Sequence, residues 1–112
     1  MKTITTEELK KKIDEGAEFY LIDALSENSF KARHIPGAKN VPNDTNYVER
    51  FEKQVGAPKD AEIITYCSSD HCTASVQAAE ALIASGYTNV GHYKSGLTGW
   101  QNTGYKFEGE AV

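Results

Sequence analysis

Short β-branched runs alternate with helical stretches along the whole chain, and that order leaves few folds open. Ile63-Ile64-Thr65-Tyr66 is the strongest strand signal, because β-branched and aromatic residues dominate it. Phe19 to Asp23 reads as a second buried strand ending in a carboxylate, Ala38 to Val41 as a short third, and Thr88 to Tyr93 as the last, with Val90 its clearest inward residue. Between them lie the helices. Thr5-Thr6-Glu7-Glu8 is a capping box that opens a helix carrying Leu9 and Ile13 one turn apart, and Gly16 can stop it. Ser26 to Arg33 predicts a short helix, closed by the turn His34-Ile35-Pro36-Gly37. Asn43 or Asp44 can cap a third helix, whose Tyr47, Val48, Phe51 and Val55 form an apolar stripe. A fourth runs from about Ser75 to Ser85, with Val76, Ala79, Leu82 and Ile83 as its inner face and Gly86 at its end. Ser95 to Trp100 predicts a tight turn or a single helical turn, and the tail from Gly104 carries little pattern. The expected fold is α/β: a central, mostly parallel sheet of about five strands with helices on both faces.

A chain of 112 residues suits one domain, residues 1–112, and can bury a core without metal or disulfide staples. Its 12 basic and 16 acidic residues give a net charge of −4, and no basic cluster exceeds Lys10-Lys11-Lys12. That excludes the electrostatic footprint of a nucleic-acid binder; the lysines read as a solvated helix face. No apolar stretch approaches the ~20 residues that span a bilayer, and the N-terminus turns acidic at Glu7-Glu8 where a signal peptide stays apolar. The expected location is the cytoplasm, the expected state a monomer. Two cysteines, Cys67 and Cys72, are too few for a disulfide framework, and their closeness suggests chemistry rather than stapling.

Cys67 ends the central strand, and in open α/β sheets ligands bind beyond the carboxyl ends of strands. The loop Ser68-Ser69-Asp70-His71-Cys72-Thr73 joins it to the next helix. Backbone N–H groups and a helix N-terminus there can lower a thiol's pKa and hold an anionic sulfur. The expectation is a nucleophilic Cys67 with a depressed pKa inside a cup of main-chain donors. The competing reading is a buried, inert thiol; the polar loop is poor material for a core and favours function. Cys72 is open to two readings, a redox partner of Cys67 or a small residue filling the loop. His71 reads equally as an acid or as an exposed loop residue, and no second ligand pair supports a metal site. His34 is expected to hold its turn through backbone hydrogen bonds, Asp23 to satisfy nearby N–H groups or border the pocket, and Trp100 to be a core or pocket-wall aromatic. His92 has no informative context.

In order and spacing these segments resemble the rhodanese family over nearly the whole chain. Tyr20-Leu21-Ile22-Asp23 looks like that family's first core strand, and Arg33-His34-Ile35-Pro36-Gly37-Ala38 like its Gly-His-Ile-Pro-Gly-Ala turn. Ile63 to Cys67 resembles the strand that delivers its catalytic cysteine, and Ala78 to Leu82 and Gly86 to Val90 the following helix and strand. Ser95-Gly96-Leu97-Thr98-Gly99-Trp100 is similar to its Gly-Gly-Ile-x-x-Trp signature. The resemblance implies a rhodanese-like fold and two-step sulfur transfer: Cys67 takes sulfane sulfur from a small-molecule donor, or from a protein persulfide, and passes it to a thiol or cyanide. It implies no metal or organic cofactor.

The chain departs from the family pattern in its loop. Arg33 replaces a glycine, Asp70 stands where the loop glycine is usual, Cys72 stands where an arginine is usual, and the loop is about two residues longer. An arginine fork suits a dianion such as thiosulfate. Its absence predicts weak thiosulfate use and argues against phosphatase or arsenate reductase chemistry, leaving polysulfide, persulfide or a protein as the expected donor.

Overall fold

The computed structural model describes residues 1–112. Five strands, β1 (Lys2–Ile4), β2 (Tyr20–Asp23), β3 (Lys39–Asn40), β4 (Ile63–Tyr66) and β5 (Val90–Tyr93), form one sheet in the order β1-β5-β4-β2-β3. Every pairing is parallel. The helices are α1 (Thr6–Asp14), α2 (Glu27–Ala32), α3 (Tyr47–Gln54), α4 (Ala74–Ala84) and α5 (Gly96–Asn102). The capping box forms as expected: Thr5 Oγ1 accepts from Glu8 N–H and Glu8 Oε1 accepts from Thr5 N–H, both at 3.1 Å.

β4 lies between β2 and β5, and all four of its residues are fully buried. Strand alternation then divides the core. Ile63 joins Ile22 and Val90 with Phe51 of α3 and Ala78, Ala79 and Leu82 of α4 on one face. Ile64 and Tyr66 join Leu21 and Tyr93 with Leu9 of α1 and Leu97 and Trp100 of α5 on the other. The period continues past the strand end, so Cys67 shares the α4 face with Ile63 and Thr65.

Several expectations need correction. β1 was not legible: it is a three-residue edge strand in which only Ile4 is buried. α3 is capped by neither Asn43 nor Asp44. Its N-cap is Asn46 at φ 61, a left-handed conformation asparagine tolerates, while Asp44 faces Arg50 at 3.3 Å and Asn43 donates to Gln77. The inner face of α4 is Ser75, Ala78, Ala79 and Leu82; Val76 is half-buried and Ile83 is exposed. Small side chains face the sheet because the helix packs close to it. Ser95 to Trp100 grows into the two-turn α5. The tail is tied down: Trp100 Nε1 donates to the Lys106 carbonyl and Glu108 bridges His34.

Phe51 and Ile83 give a discriminating pair. Phe51→Ala is expected to lower unfolding stability in urea by about 3–5 kcal/mol. Ile83→Ala is expected to change it by no more than about 0.5 kcal/mol. A large loss at Ile83 would contradict the face assigned to α4.

Candidate active site

Helix α5 fixes the end of β4. Its first free N–H groups turn back onto the chain that leaves the strand: Leu97 N–H donates to the Cys67 carbonyl at 3.0 Å and Thr98 N–H to the Ser68 carbonyl at 2.9 Å. Thr98 Oγ1 adds a second bond to Ser68 at 3.1 Å. This approach requires glycine at 96. Its φ is +60, and a Cβ there would stand 2.4 Å from the Cys67 carbonyl oxygen and 2.9 Å from Ser69 N.

From that anchor the Cys67 side chain points under the loop. It is 1% exposed. Sγ lies 3.2 Å from Ser75 Oγ, and Ser75 Oγ lies 2.8 Å from His92 Nε2, so thiol, hydroxyl and imidazole form one buried chain. Ser75 is set in place through its carbonyl, which accepts from Thr65 Oγ1 at 2.8 Å. His92 is brought in by register: it pairs with Thr65 across β4 and β5, and alternation aims both toward α4. Burial, and secondarily Lys94, lowers the His92 pKa below its ordinary 6.5, so the ring is neutral at pH 7. A neutral imidazole with its proton on Nδ1 leaves Nε2 free to accept from the Ser75 hydroxyl, and the Cys67 S–H then has two acceptors in reach, the Ser75 oxygen at 3.2 Å and the Cys72 carbonyl at 3.5 Å.

The expected low pKa for Cys67 is not found. Burial, assisted by the neighbouring Cys72, pushes the thiol up, and the Ser75 hydroxyl and N–H offset this only in part. The depressed thiol is Cys72. Burial opposes its ionisation, but the Cys67 thiol, the Ala74 and Ser68 N–H groups and the Ser68 hydroxyl outweigh it. The cup of donors exists, then, but most of it serves Cys72. The longer loop carries a second thiol into the space under its own N–H groups, leaving the first beneath it.

Of the loop residues expected to line the site, the structure gathers Cys67, Ser68 and Cys72. Ser69 closes the loop on itself, accepting from Cys72 N–H at 3.1 Å and His71 N–H at 3.4 Å. Asp70, His71 and Thr73 are exposed; the His71 side chain is 95% accessible. Asp23 is fully buried with one oxygen bonded to Leu25 N–H at 2.8 Å, which is the structural role expected of it. His34 holds its turn, Nδ1 lying 2.8 Å from the Phe30 carbonyl with its ring stacked on Phe30. Beside Ser68 runs a groove of about 560 Å³ whose lining includes Leu25, Ser29, Arg33 and Leu97. No carboxylate pairs with Arg33, whose guanidinium donates to Gln101 Oε1 at 2.8 Å and packs over Phe107.

Sequence reasoning missed Ser75 and His92. A signal for His92 was present: Val90 was expected to face inward, and His92 lies two residues further along the same strand.

Two measurements check this geometry. In the native protein a small alkylating agent at neutral pH is expected to label Cys72 well before Cys67, the difference vanishing in urea; equal native rates would contradict it. Gly96→Ala is expected to lower stability by about 1–3 kcal/mol and to speed Cys67 labelling as the strand end shifts.

Comparison with known proteins gives a consistent result. The family model for the rhodanese-like domain matches residues 5–103. A probable adenylyltransferase/sulfurtransferase of Mycobacterium tuberculosis, MoeZ, is 30% identical over 101 residues, spanning 88% of this chain but only 24% of that protein. The Bacillus subtilis protein YqhL is 30% identical over 100 residues, 89% of this chain and 72% of its own length. The crystal structure of the BH2092 protein from Bacillus halodurans superposes with a TM-score of 0.87 at 26% identity, covering 98% of this chain and 78% of that one. With its parallel sheet, the family model and these relatives in agreement, the chain belongs to the rhodanese-like domain family.

Proposed function

We propose that the chain transfers sulfane sulfur through a persulfide on Cys67. The observation that supports this most strongly is the buried chain from Cys67 through Ser75 to His92. A thiol whose pKa is raised by burial needs a base, and a neutral imidazole joined to it through a hydroxyl is one. The Cys67 proton passes to Ser75 Oγ as the Ser75 proton passes to His92 Nε2. The thiolate attacks the sulfane sulfur of a donor; the new S–S bond forms, the donor's own bond to that sulfur breaks, and the leaving group departs with the electron pair. Cyanide or a thiol then takes the outer sulfur, restoring the Cys67 thiolate, which recovers its proton by the same route.

The donor reaches Cys67 when the loop shifts. Its centre is tied by two hydrogen bonds to Ser69 and by the Cys67 thiol on the Cys72 carbonyl at 3.5 Å, and Asp70, His71 and Thr73 are exposed, so the displacement exposes little apolar surface. Asp70 and an easily ionised Cys72 disfavour a dianion, while Arg33 in the adjoining groove offers one unpaired cation. Polysulfide, a persulfide or a protein donor fits this balance better than thiosulfate. Both cysteines are free thiols, which suits a reducing compartment, the cytoplasm, with the chain acting as a monomer.

The burial of Cys67 also favours a second reading, a rhodanese-like binding or redox-sensing module with little turnover. Thiocyanate production from cyanide separates the two. Turnover is expected with polysulfide, at a kcat/KM at least about tenfold above that with thiosulfate. It is expected to vanish in Cys67→Ser and to fall roughly 10²-fold in His92→Gln. Activity should persist at pH 7 and fall as pH drops through the folded His92 pKa, which lies below 6.5, because protonated His92 accepts no proton. Absence of thiocyanate with every donor would leave the binding reading standing.

A further inference from the structure

Cys72 has no part in the transfer cycle just described, yet its surroundings are specific. It is half-buried directly against Cys67: the Cys67 thiol approaches the Cys72 carbonyl at 3.5 Å, and the two side chains perturb each other. The Ser68 and Ala74 N–H groups and the Ser68 hydroxyl, with the Cys67 thiol, hold its pKa below the ordinary thiol value. A side chain that merely filled the loop would need none of these donors.

We propose that Cys72 is a resolving thiol, which closes a disulfide with Cys67 and expels the sulfur carried there as sulfide. The inference rests on the Cys67 persulfide. Cys72 Sγ, as thiolate, attacks the inner sulfur, Cys67 Sγ. The Cys67–Cys72 bond forms, the bond to the outer sulfur breaks, and that sulfur leaves with the electron pair, taking through Ser75 the proton His92 gained at loading and departing as HS⁻. The carried sulfur is reduced and the two cysteines are oxidised. A thiol reductant, supplying two thiols, regenerates the pair by exchange. The chain is then a persulfide reductase that releases sulfide where no cyanide or thiol competes for the outer sulfur.

The geometry favours this partition for two reasons. Cys67 is 1% exposed, so an external acceptor reaches the outer sulfur only when the loop shifts, whereas Cys72 is an immediate neighbour whose carbonyl lies 3.5 Å from Cys67 Sγ. An attacking thiol gains from a larger ionised fraction, and the donors around Cys72 shift its ionisation in that direction.

The test uses anaerobic protein and thiosulfate in large excess, so that weak binding slows loading without changing its end point. Sulfite counts loading and sulfide counts the second step. Wild type is expected to yield one sulfide per chain and to end lighter by two hydrogens in intact mass, restored by dithiothreitol. Cys72→Ser is expected to yield sulfite but no sulfide, and to gain the mass of one sulfur on Cys67. Wild type retaining that added sulfur, with both thiols otherwise intact, would overturn the resolving role and leave the Cys67 persulfide standing. No sulfur on Cys72→Ser would overturn both. Sulfur on Cys72 in Cys67→Ser would reverse the roles and overturn the inference as drawn.

Discussion

The site depends on one constraint: β4 is buried on both faces and paired along both edges, so nothing about the position of Cys67 is free to vary. β2 and β5 fix its height along the sheet, strand alternation fixes its face, and the first turn of α5 fixes the carbonyl that follows. Gly96 is where these meet. A side chain at that point would occupy the volume of the Cys67 carbonyl, so the tight contact between α5 and the strand end is possible only with hydrogen in place of Cβ. Placement precedes chemistry here: the thiol is located by backbone packing, and its protonation state follows from where the packing leaves it.

That location sets two effects in opposition. Burial penalises the thiolate, and hydrogen bonding favours it. At Cys67 burial wins; at Cys72, which is less buried and favoured by the Ser68 and Ala74 N–H groups, hydrogen bonding wins. The result is a graded pair, with the inner thiol's pKa raised and the outer thiol's lowered. Such a gradient suits disulfide chemistry, which needs one sulfur to attack and another to be attacked. The inner thiol is joined through Ser75 to His92, a proton acceptor inside the core.

Much of this was legible in the chain. The Ile63–Tyr66 run, the capping box at Thr5 and the turn at His34 each state their structure through local chemistry, and each stands as read. β1 was invisible because an edge strand with one buried residue has no period to detect. Of the expected face of α4, Ala79 and Leu82 are buried as read, but Ser75 and Ala78 take the places expected for Val76 and Ile83, because close packing on the sheet admits small side chains there. Cys67 could be placed at a strand end from sequence, but its ionisation could not. The balance of burial against donors depends on how the longer loop folds back, and residue spacing does not carry that information.

The same loop explains why a cysteine can stand where the family's usual form has an arginine. An arginine at that point would bring a fixed positive charge to the donor and leave the outer sulfur open to acceptors. A thiol in its place brings no fixed charge, and once ionised it adds a negative one beside Asp70, so a dianion loses its main attraction to the loop. Under the resolving role proposed above, what the site gains is an internal acceptor held beside Cys67, with the high effective concentration of an intramolecular group. Loop length and residue exchange therefore act together. The added residues allow Cys72 to turn inward under the N–H groups of Ser68 and Ala74, and the exchange gives those groups a sulfur to stabilise rather than a bound anion.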